Sequence, residues 1–167
     1  SKKGKAFAWA LLLMLPMIYL INLMLEILSL EDVFAEIFQQ LIHLPLGAVS
    51  VVLIGPMVEE LVFRKGVFGT LMERGISPWL SIFISALLFG VIHGNPVQIG
   101  GAFLFGWILA WMYWKSGTIW LSYAAHVFNN LVGVVLTLAV NPETTLLSLS
   151  GGVITTLICI LFALLWA

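Results

Sequence analysis

Long stretches without a charged residue constrain this chain more than any other feature. Asp, Glu, Lys and Arg are absent from residues 6–25, 37–58, 75–114, 116–142 and 144–167. A helix needs roughly 20 apolar residues to cross a bilayer, so four stretches suit one helix each and the third suits two. Gly94-Asn95-Pro96 offers a break inside that long stretch. Hydrophobic residues make up 62% of the chain and charged residues 9%, which excludes an ordinary soluble domain.

These stretches predict an all-α fold: a polytopic membrane helix bundle of about six transmembrane helices, in a single domain covering residues 1–167. The predicted spans are 6–28, 45–64, 78–93, 97–114, 118–139 and 144–166. An interfacial helix is predicted at 30–42, where Phe34, Ile37, Phe38 and Leu41 recur at helical spacing. Span two is expected to continue as an amphipathic helix to Glu73, where Gly75 and Pro78 end it.

The positions of the cationic residues predict the orientation. If the N-terminus is cytoplasmic, six spans place every Lys and Arg on the inner side, as the positive-inside rule requires. Those residues are Lys2, Lys3, Lys5, Arg64, Lys65, Arg74 and Lys115. The outer connections would carry Glu26, Glu31, Asp32, Glu36 and Glu143. We expect a multi-pass protein of a bacterial inner membrane, with the lipid bilayer as a partner and, for lack of a basic run, no nucleic acid.

Two adjacent carboxylates and a guanidinium stand at the edge of the second apolar stretch. A charge near the bilayer centre costs roughly 2.5 to 3.5 kcal/mol, so such groups usually pair, line wet cavities or do chemistry. Glu60 and Arg64, four residues apart, share a helix face and can pair. Glu59 is turned about 100° away and is free to face a polar cavity. Pro56 frees the carbonyl of Val52 and favours a kink there. An interfacial salt bridge is the simpler interpretation.

Two further polar pairs interrupt the later apolar stretches. His93 follows Phe89 by one helical turn, and Gly90 and Gly94 beside it have a spacing that lets another helix approach closely. His126 and Asn130 are also four residues apart, so both project to one side of span five. Taken singly, each pair is as well explained by packing and hydrogen bonds between helices. Together with Glu59 they supply the groups needed to activate water and to hold an oxyanion.

The three motifs in order resemble a known family. Glu59-Glu60-x-x-x-Arg64, Phe89-x-x-x-His93 and His126-x-x-x-Asn130 are similar to the motifs of the CAAX protease and bacteriocin-processing (Abi) family of intramembrane glutamic endopeptidases. The resemblance implies that Glu59 and His93 activate the attacking water and that His126 and Asn130 stabilise the oxyanion. It also implies that Glu60 and Arg64 position the motif helix and that Phe89 packs behind His93.

The same resemblance implies catalysis without a bound metal, so no cofactor is expected. Glu59 and two histidines are also acceptable zinc ligands, and a zinc-dependent membrane protease therefore stays an alternative. The His-Glu-x-x-His signature of helical metalloproteases is absent from the sequence. An aspartyl dyad is excluded, because Asp32 is the one aspartate in the chain.

The expected substrate is a peptide or a membrane-associated protein, reached from the cytoplasmic side. Two other classes of function use the same residues: a noncatalytic immunity or binding protein with a ligand in the polar cavity, and a small carrier that relays protons. One geometric requirement is common to all three. His93 lies roughly 22 Å along span three, at about 1.5 Å per residue, whereas Glu59 is expected nearer the inner surface. Tilt, a kink at Pro56 or an inward-buried helix start near Phe63 must bring them to one depth.

Overall fold

A computed structural model describes residues 2–29, 32–139, 144–145, 148 and 151–166. Within these ranges the chain is helical and contains no strand, which confirms the predicted all-α class. The helices are α1 Lys2–Leu28, α2 Ala35–Ile42, α3 Pro45–Glu73, α4 Pro78–Val91, α5 Pro96–Ser116, α6 Ile119–Ala139 and α7 Val153–Trp166.

The structure confirms the predicted fold class but not the predicted number of membrane spans. Four of the described helices are long and apolar enough to cross a bilayer: Phe7–Leu28, Pro45–Glu73, Pro96–Ser116 and Ile119–Ala139. The helices α4 and α7 have 14 residues each, which at about 1.5 Å per residue is roughly 21 Å and short of the hydrocarbon thickness. The predicted count of six spans is therefore not confirmed. Of the acidic residues assigned to outer connections, Glu31 and Glu143 lie outside the described residues.

Apolar side chains cover much of the outside of the bundle. Leu46 is 81% exposed, Ile27 is 70% exposed and Trp120 is 62% exposed. A water-soluble protein rarely exposes so many large apolar side chains, whereas lipid accommodates them. The exposed surface and the four long apolar helices identify an integral membrane protein.

The interior holds the helices together through two apolar clusters. In the first, Met14 of α1, Leu109 of α5 and Ala125 of α6 are each fully buried. In the second, Phe68 of α3 packs with Ile82 of α4 and Ala110 of α5. Because α5 contributes to both clusters, it is the central helix of the bundle. Helices α1, α3, α4 and α6 pack around it.

Helix α3 is continuous but contains two stretches of π-helix, Ser50–Ile54 and Leu61–Gly69. In the first, the N–H of Gly55 donates to the carbonyl of Ser50, five residues back. In this register residue 56 would donate to Val51, and Pro56 has no N–H to give. This register leaves the Val51 carbonyl free, and the predicted release of the Val52 carbonyl stays a prediction. The carbonyl of Val51 accepts instead from the Nδ2 of Asn130, at 2.9 Å.

The continuity of α3 brings Glu59 and His93 to a common depth. Helix α3 runs on to Glu73 and leaves Glu59 in its middle, while the depth of Glu59 in the membrane stays a prediction. The helices α3 and α4 are antiparallel neighbours, joined by a tight turn and tied by a 2.8 Å hydrogen bond from Ser85 Oγ to the carbonyl of Phe63. Glu59 precedes the turn by about as many residues as His93 follows it. The helix continues past Phe63, which is buried, as one of the three expected arrangements requires.

The predicted close helix approach at Gly90 and Gly94 is half right. A Cβ on Gly90 would lie 2.8 Å from the carbonyl oxygen of Ile99 and 3.2 Å from the N of Phe103, so α5 does press against this glycine. Gly94 lies beyond the end of α4 with φ of 61°, and a Cβ there would meet nothing within 4 Å. Its role is to turn the chain in a left-handed conformation that favours glycine, and not to pack.

We expect Gly90→Ala to lower the free energy of unfolding in detergent by about 1–3 kcal/mol, because the added methyl group meets backbone that cannot rotate away. The matched control is Gly100→Ala in α5, where a Cβ would have open space. That variant should be neutral or stabilising by up to about 1 kcal/mol, since alanine is the better helix former. Equal stability of the two variants would contradict the assigned contact between α4 and α5.

The segment before α3 is short and partly docked. Helix α2 begins at Ala35, later than the predicted interfacial helix, and an aspartate side chain sets the turn before it: Asp32 accepts from the N–H of Phe34 at 3.1 Å. Asp32 also accepts from Nδ2 of the buried Asn95, at 2.6 Å. This contact fixes the α1–α2 connection to the start of α5. Phe38 of α2 lines the cavity described next.

Candidate active site

A cavity of about 380 Å³ lies between α1, α3, α5 and α6. All three sequence motifs reach it. The motif residues that line it are Glu59, Phe89, His93, His126 and Asn130. Its remaining wall is largely apolar, with Ile18 and Phe105 among the contributors. The structure thus brings together side chains that are up to 71 positions apart in the sequence, from Glu59 to Asn130.

Behind the cavity, Glu60 and Arg64 form a buried ion pair. Nη2 of Arg64 lies 3.1 Å from Oε1 of Glu60, and both side chains are 0% exposed. The pairing predicted from their spacing is confirmed. Glu59 points the other way, into the cavity, and its side chain is 30% exposed. The two neighbouring carboxylates therefore have different environments, one sequestered with a cation and the other accessible to a ligand.

His126 contacts both carboxylates. Its Nδ1 lies 3.0 Å from Oε1 of Glu60 and its Nε2 lies 3.4 Å from Oε2 of Glu59. The imidazole is 3% exposed, so it is held almost wholly within the protein. His126 therefore bridges the sequestered carboxylate of Glu60 and the accessible carboxylate of Glu59.

His93 is oriented by its own helix. Its Nδ1 lies 2.7 Å from the carbonyl oxygen of Phe89, so an Nδ1–H donated there leaves Nε2 as an acceptor on the cavity side. The structure describes no direct contact between His93 and Glu59, although both line the cavity. The imidazole that touches Glu59 is that of His126. The catalytic roles of all three side chains stay predictions.

The ring of Phe89 lies at the centre of the motif residues. It meets His93 edge to face with centroids 5.0 Å apart, and His126 in the same way at 5.6 Å. The guanidinium carbon of Arg64 lies 4.7 Å from the ring centroid, a cation–π contact. A single aromatic ring therefore fixes the separation of the two imidazoles and covers the buried cation.

Asn130 is held by two hydrogen bonds. Its Nδ2 donates to the carbonyl of Val51 at 2.9 Å, and its Oδ1 accepts from Nδ2 of Asn129 at 3.1 Å. One amide hydrogen of Asn130 remains for a ligand in the cavity. The Val51 carbonyl, which Pro56 leaves without a backbone donor, thus accepts a hydrogen bond from the Asn130 amide of α6. Backbone groups within a membrane need such partners.

Three carboxamides that line the cavity were missed by sequence reasoning: Asn22, Gln98 and Asn129. Asn129 adjoins a motif residue, and Asn22 lies within the first uncharged stretch. The signal that could have found them is the rule already applied to the histidines, since any polar side chain in a membrane helix needs a partner. Placing an uncharged amide in a membrane helix costs less free energy than placing a carboxylate there, so an amide is a weaker signal of function.

Whether the site could bind a metal ion depends on how its possible ligand side chains are arranged. In the part of the chain that the structure describes, no three side chains of His, Cys, Asp or Glu stand together in a way that could hold a metal ion. Glu59 and His126 meet, but His93 does not complete a three-ligand cluster with them. No catalytic step is assigned to zinc, and metal dependence stays a prediction.

Comparison with known proteins adds a family to this geometry. Residues 41–132, more than half of the chain, match the family model described as type II CAAX prenyl endopeptidase Rce1-like. A Bacillus subtilis protein named "Putative membrane peptidase YdiL" is 30% identical over 94 residues, which cover 56% of this chain and 38% of that protein. An uncharacterized Mycoplasma capricolum protein is 33% identical over 106 residues, covering 59% of this chain and 29% of that protein.

The chain thus spans about a third of the length of these two relatives. No solved structure matches it at a significant level. The matched residues contain every motif residue from Glu59 to Asn130 and exclude α1, α2 before residue 41, and α7.

Proposed function

Because the chain belongs to the type II CAAX prenyl endopeptidase Rce1-like family, we propose that it is an intramembrane endopeptidase that hydrolyses a peptide bond of a peptide or membrane-associated protein. Family membership and the name of the Bacillus subtilis relative support a membrane protease. The single observation that carries the proposal is the contact of Glu59 with His126 at 3.4 Å, inside a cavity that His93 and Asn130 also line.

In the proposed reaction a water molecule attacks the scissile carbonyl carbon. Glu59 accepts a proton from that water, and Nε2 of His93 orients it, because both groups face the cavity. The new carbon–oxygen bond places a negative charge on the former carbonyl oxygen. When the tetrahedral intermediate collapses, the carbon–nitrogen bond breaks, and the proton held by Glu59 passes to the departing amine.

Two donors are proposed for the oxyanion. Asn130 has one amide hydrogen left after its bond to Val51. His126 in its imidazolium form would donate from Nδ1 to Glu60 and keep an Nε2–H for the substrate. The Nε2 contact with Glu59, at 3.4 Å, is longer than a good hydrogen bond, so little is lost when Nε2 turns to the developing charge.

The remaining features are proposed in the same terms. Arg64 neutralises Glu60, so that Glu60 positions His126 without adding net charge behind the site. We place the N-terminus in the cytoplasm and the protein in a bacterial inner membrane, with access to substrate from the cytoplasmic side. Six of the seven lysine and arginine residues support this orientation, whereas Arg64 is buried within α3.

The decisive experiment incubates the purified full chain, in lipid nanodiscs, with a library of uncharged and mixed-charge peptides. Cleavage that is lost in Glu59→Gln and in His93→Ala, with the fold retained, supports hydrolysis. Binding that persists in both variants without any cleavage by the parent protein would support a noncatalytic receptor instead. Proton-coupled flux into vesicles would support a carrier.

We expect Asn130→Ala to lower kcat by on the order of 100-fold to 1,000-fold with a smaller change in KM, because an oxyanion donor acts mainly in the transition state. The variant also loses the hydrogen bond to Val51, so its unfolding in detergent is measured beside its kinetics. Thr137→Ala is the matched control: it removes a polar group from the same helix at a half-buried position that does not line the cavity. An unchanged kcat would remove Asn130 from the oxyanion role.

Metal dependence gives a separate expected outcome. We expect cleavage to continue at the same rate after dialysis against a strong chelator, and metal analysis of the active protein to find far less than one equivalent of zinc. The reason is the missing three-ligand cluster among the described residues. Loss of activity on chelation, restored by added zinc, would establish the zinc-dependent alternative.

A further inference from the structure

The cavity has a second polar wall that the proposed reaction does not use. Asn22 of α1 and Gln98 of α5 line it, whereas the proposed catalytic groups come from α3, the end of α4, and α6. Both residues are carboxamides and carry no charge. They belong to stretches of the chain that lack every charged residue.

A close crossing of two helices brings these carboxamides near each other. Helix α1 packs against Gly101 of α5, where a Cβ would lie 2.9 Å from Cδ1 of Leu25 and 3.6 Å from Cγ2 of Ile21. Asn22 adjoins Ile21, and Gln98 lies one helical turn before Gly101. The two amides therefore flank one crossing point, and both are at the cavity surface.

Neither carboxamide is saturated by the protein. Nδ2 of Asn22 donates to the carbonyl of Ile18 at 2.8 Å, which leaves its second amide hydrogen and its Oδ1. The side chain of Gln98 has no hydrogen-bond partner among the residues that the structure describes. An amide in a membrane protein that is not used for packing needs a polar ligand or lines a wet path.

We propose that Asn22 and Gln98 form a subsite that binds the main chain of an extended, uncharged peptide segment. The proposal rests on the function proposed above and names its substrate class more closely. A carboxamide has one donor group and one acceptor group side by side, as a peptide group has, so each amide can pair with the N–H and C=O of a substrate residue. Such pairing holds the chain in register without reading its side chains.

The surroundings of the subsite define the side chains that it accepts. Ile18, Leu25 and Phe105 line the same cavity, and no Lys, Arg or Asp does so. Among Asp, Glu, Lys and Arg, Glu59 is the one that the described lining contains, and it belongs to α3, which carries neither carboxamide. The occupant is therefore a segment with apolar side chains, laid across the cavity with its main chain towards α1 and α5 and its scissile carbonyl towards α3 and α6.

The test measures binding without cleavage, in the full chain carrying Glu59→Gln. The probe is an acetylated and amidated (Leu-Ala)₄ peptide, together with a set of analogues in which one main-chain N–H at a time is replaced by an ester oxygen. Asn22→Leu and Gln98→Met keep the side-chain volumes and remove the amides. Each should weaken binding of the parent peptide about 5-fold, the effect of one hydrogen bond. Gln40→Met, an exposed carboxamide of α2 that does not line the cavity, should change nothing.

One of the ester analogues should bind the Asn22→Leu or Gln98→Met variant as tightly as it binds the parent protein, because the partner of the lost amide is already missing. Unchanged affinity in both variants, or no binding of the probe, overturns the subsite. Equal losses of binding affinity for every ester analogue also overturn the subsite, because they would show that the substitutions act through packing alone. Competition by diacyl phospholipid at equal potency would identify a lipid site instead and also overturns it.

The outcome separates this proposal from the proposed function. If the protein with Glu59 intact cleaves peptides while both amide variants bind the probe normally, hydrolysis stands and the subsite fails. Alternatively, one ester analogue binds an amide variant as tightly as it binds the parent protein, while the protein with Glu59 intact cleaves no peptide of the library. In that case the subsite stands and the hydrolytic function fails.

Discussion

Glu59→Gln should lower the rate of peptide cleavage by about 10²-fold to 10⁴-fold, the usual contribution of a general base. The amide keeps the size of the side chain but cannot accept a proton from water. Glu59 is 30% exposed to the cavity and takes no part in the buried ion pair of Glu60 and Arg64, so the substitution leaves that pair balanced. Single-turnover cleavage in nanodiscs measures the effect, and binding of the same peptide should be nearly unchanged.

Glu73→Gln is the matched control for this variant. Glu73 is an exposed acid at the C-terminal end of the same helix, outside the cavity, so its loss should leave cleavage unaltered. Equal activities of Glu59→Gln and Glu73→Gln would remove Glu59 from the reaction and leave the cavity as a binding site.

Arg64→Met should produce the largest loss of stability, about 3–5 kcal/mol in the free energy of unfolding, because it leaves the fully buried carboxylate of Glu60 without its cation. The flexible apolar methionine retains much of the arginine stem and its contact with Phe89. Reversible unfolding in mixed detergent micelles measures the change. Cleavage by the fraction that stays folded should also fall, since Glu60 holds His126.

The neighbouring cation provides the control. Lys65 is exposed on the same turn of α3, and Lys65→Met should cost little stability. The double variant Glu60→Gln/Arg64→Met removes both charges and should recover a large part of the loss, because the penalty comes from an unpaired charge and not from the missing pair itself. Failure of the double variant to recover stability would contradict this account of the buried pair.

The two predictions separate neighbouring residues that look alike in the sequence. Glu59 is expected to act on rate and Glu60, through Arg64, on stability. The difference follows from helix geometry, since successive residues are turned about 100° apart and only one of the two carboxylates can face Arg64. That division could be read from the sequence, and the 3.1 Å contact between Glu60 and Arg64 confirms the paired half of it.

Other relations required the assembled bundle. The sequence could not show that His126, rather than His93, touches Glu59, because residues on different helices meet at a distance that depends on the crossing of α3 with α6. The π-helical turn before Pro56 likewise leaves the Val51 carbonyl free, which is where Asn130 donates. No periodicity in the chain marks that wider turn.

The sequence by itself determined that the protein lies in a membrane, that it is helical, and that Glu60 pairs with Arg64. The length of an apolar stretch and the i, i+4 spacing of two residues are local properties of a chain. Only the tertiary structure decided which polar side chains share a cavity, how far α3 continues, and that Asn22 and Gln98 line the same cavity as the motif residues. Those features depend on helix crossings such as the one at Gly101, where contacts between residues far apart in sequence fix the geometry.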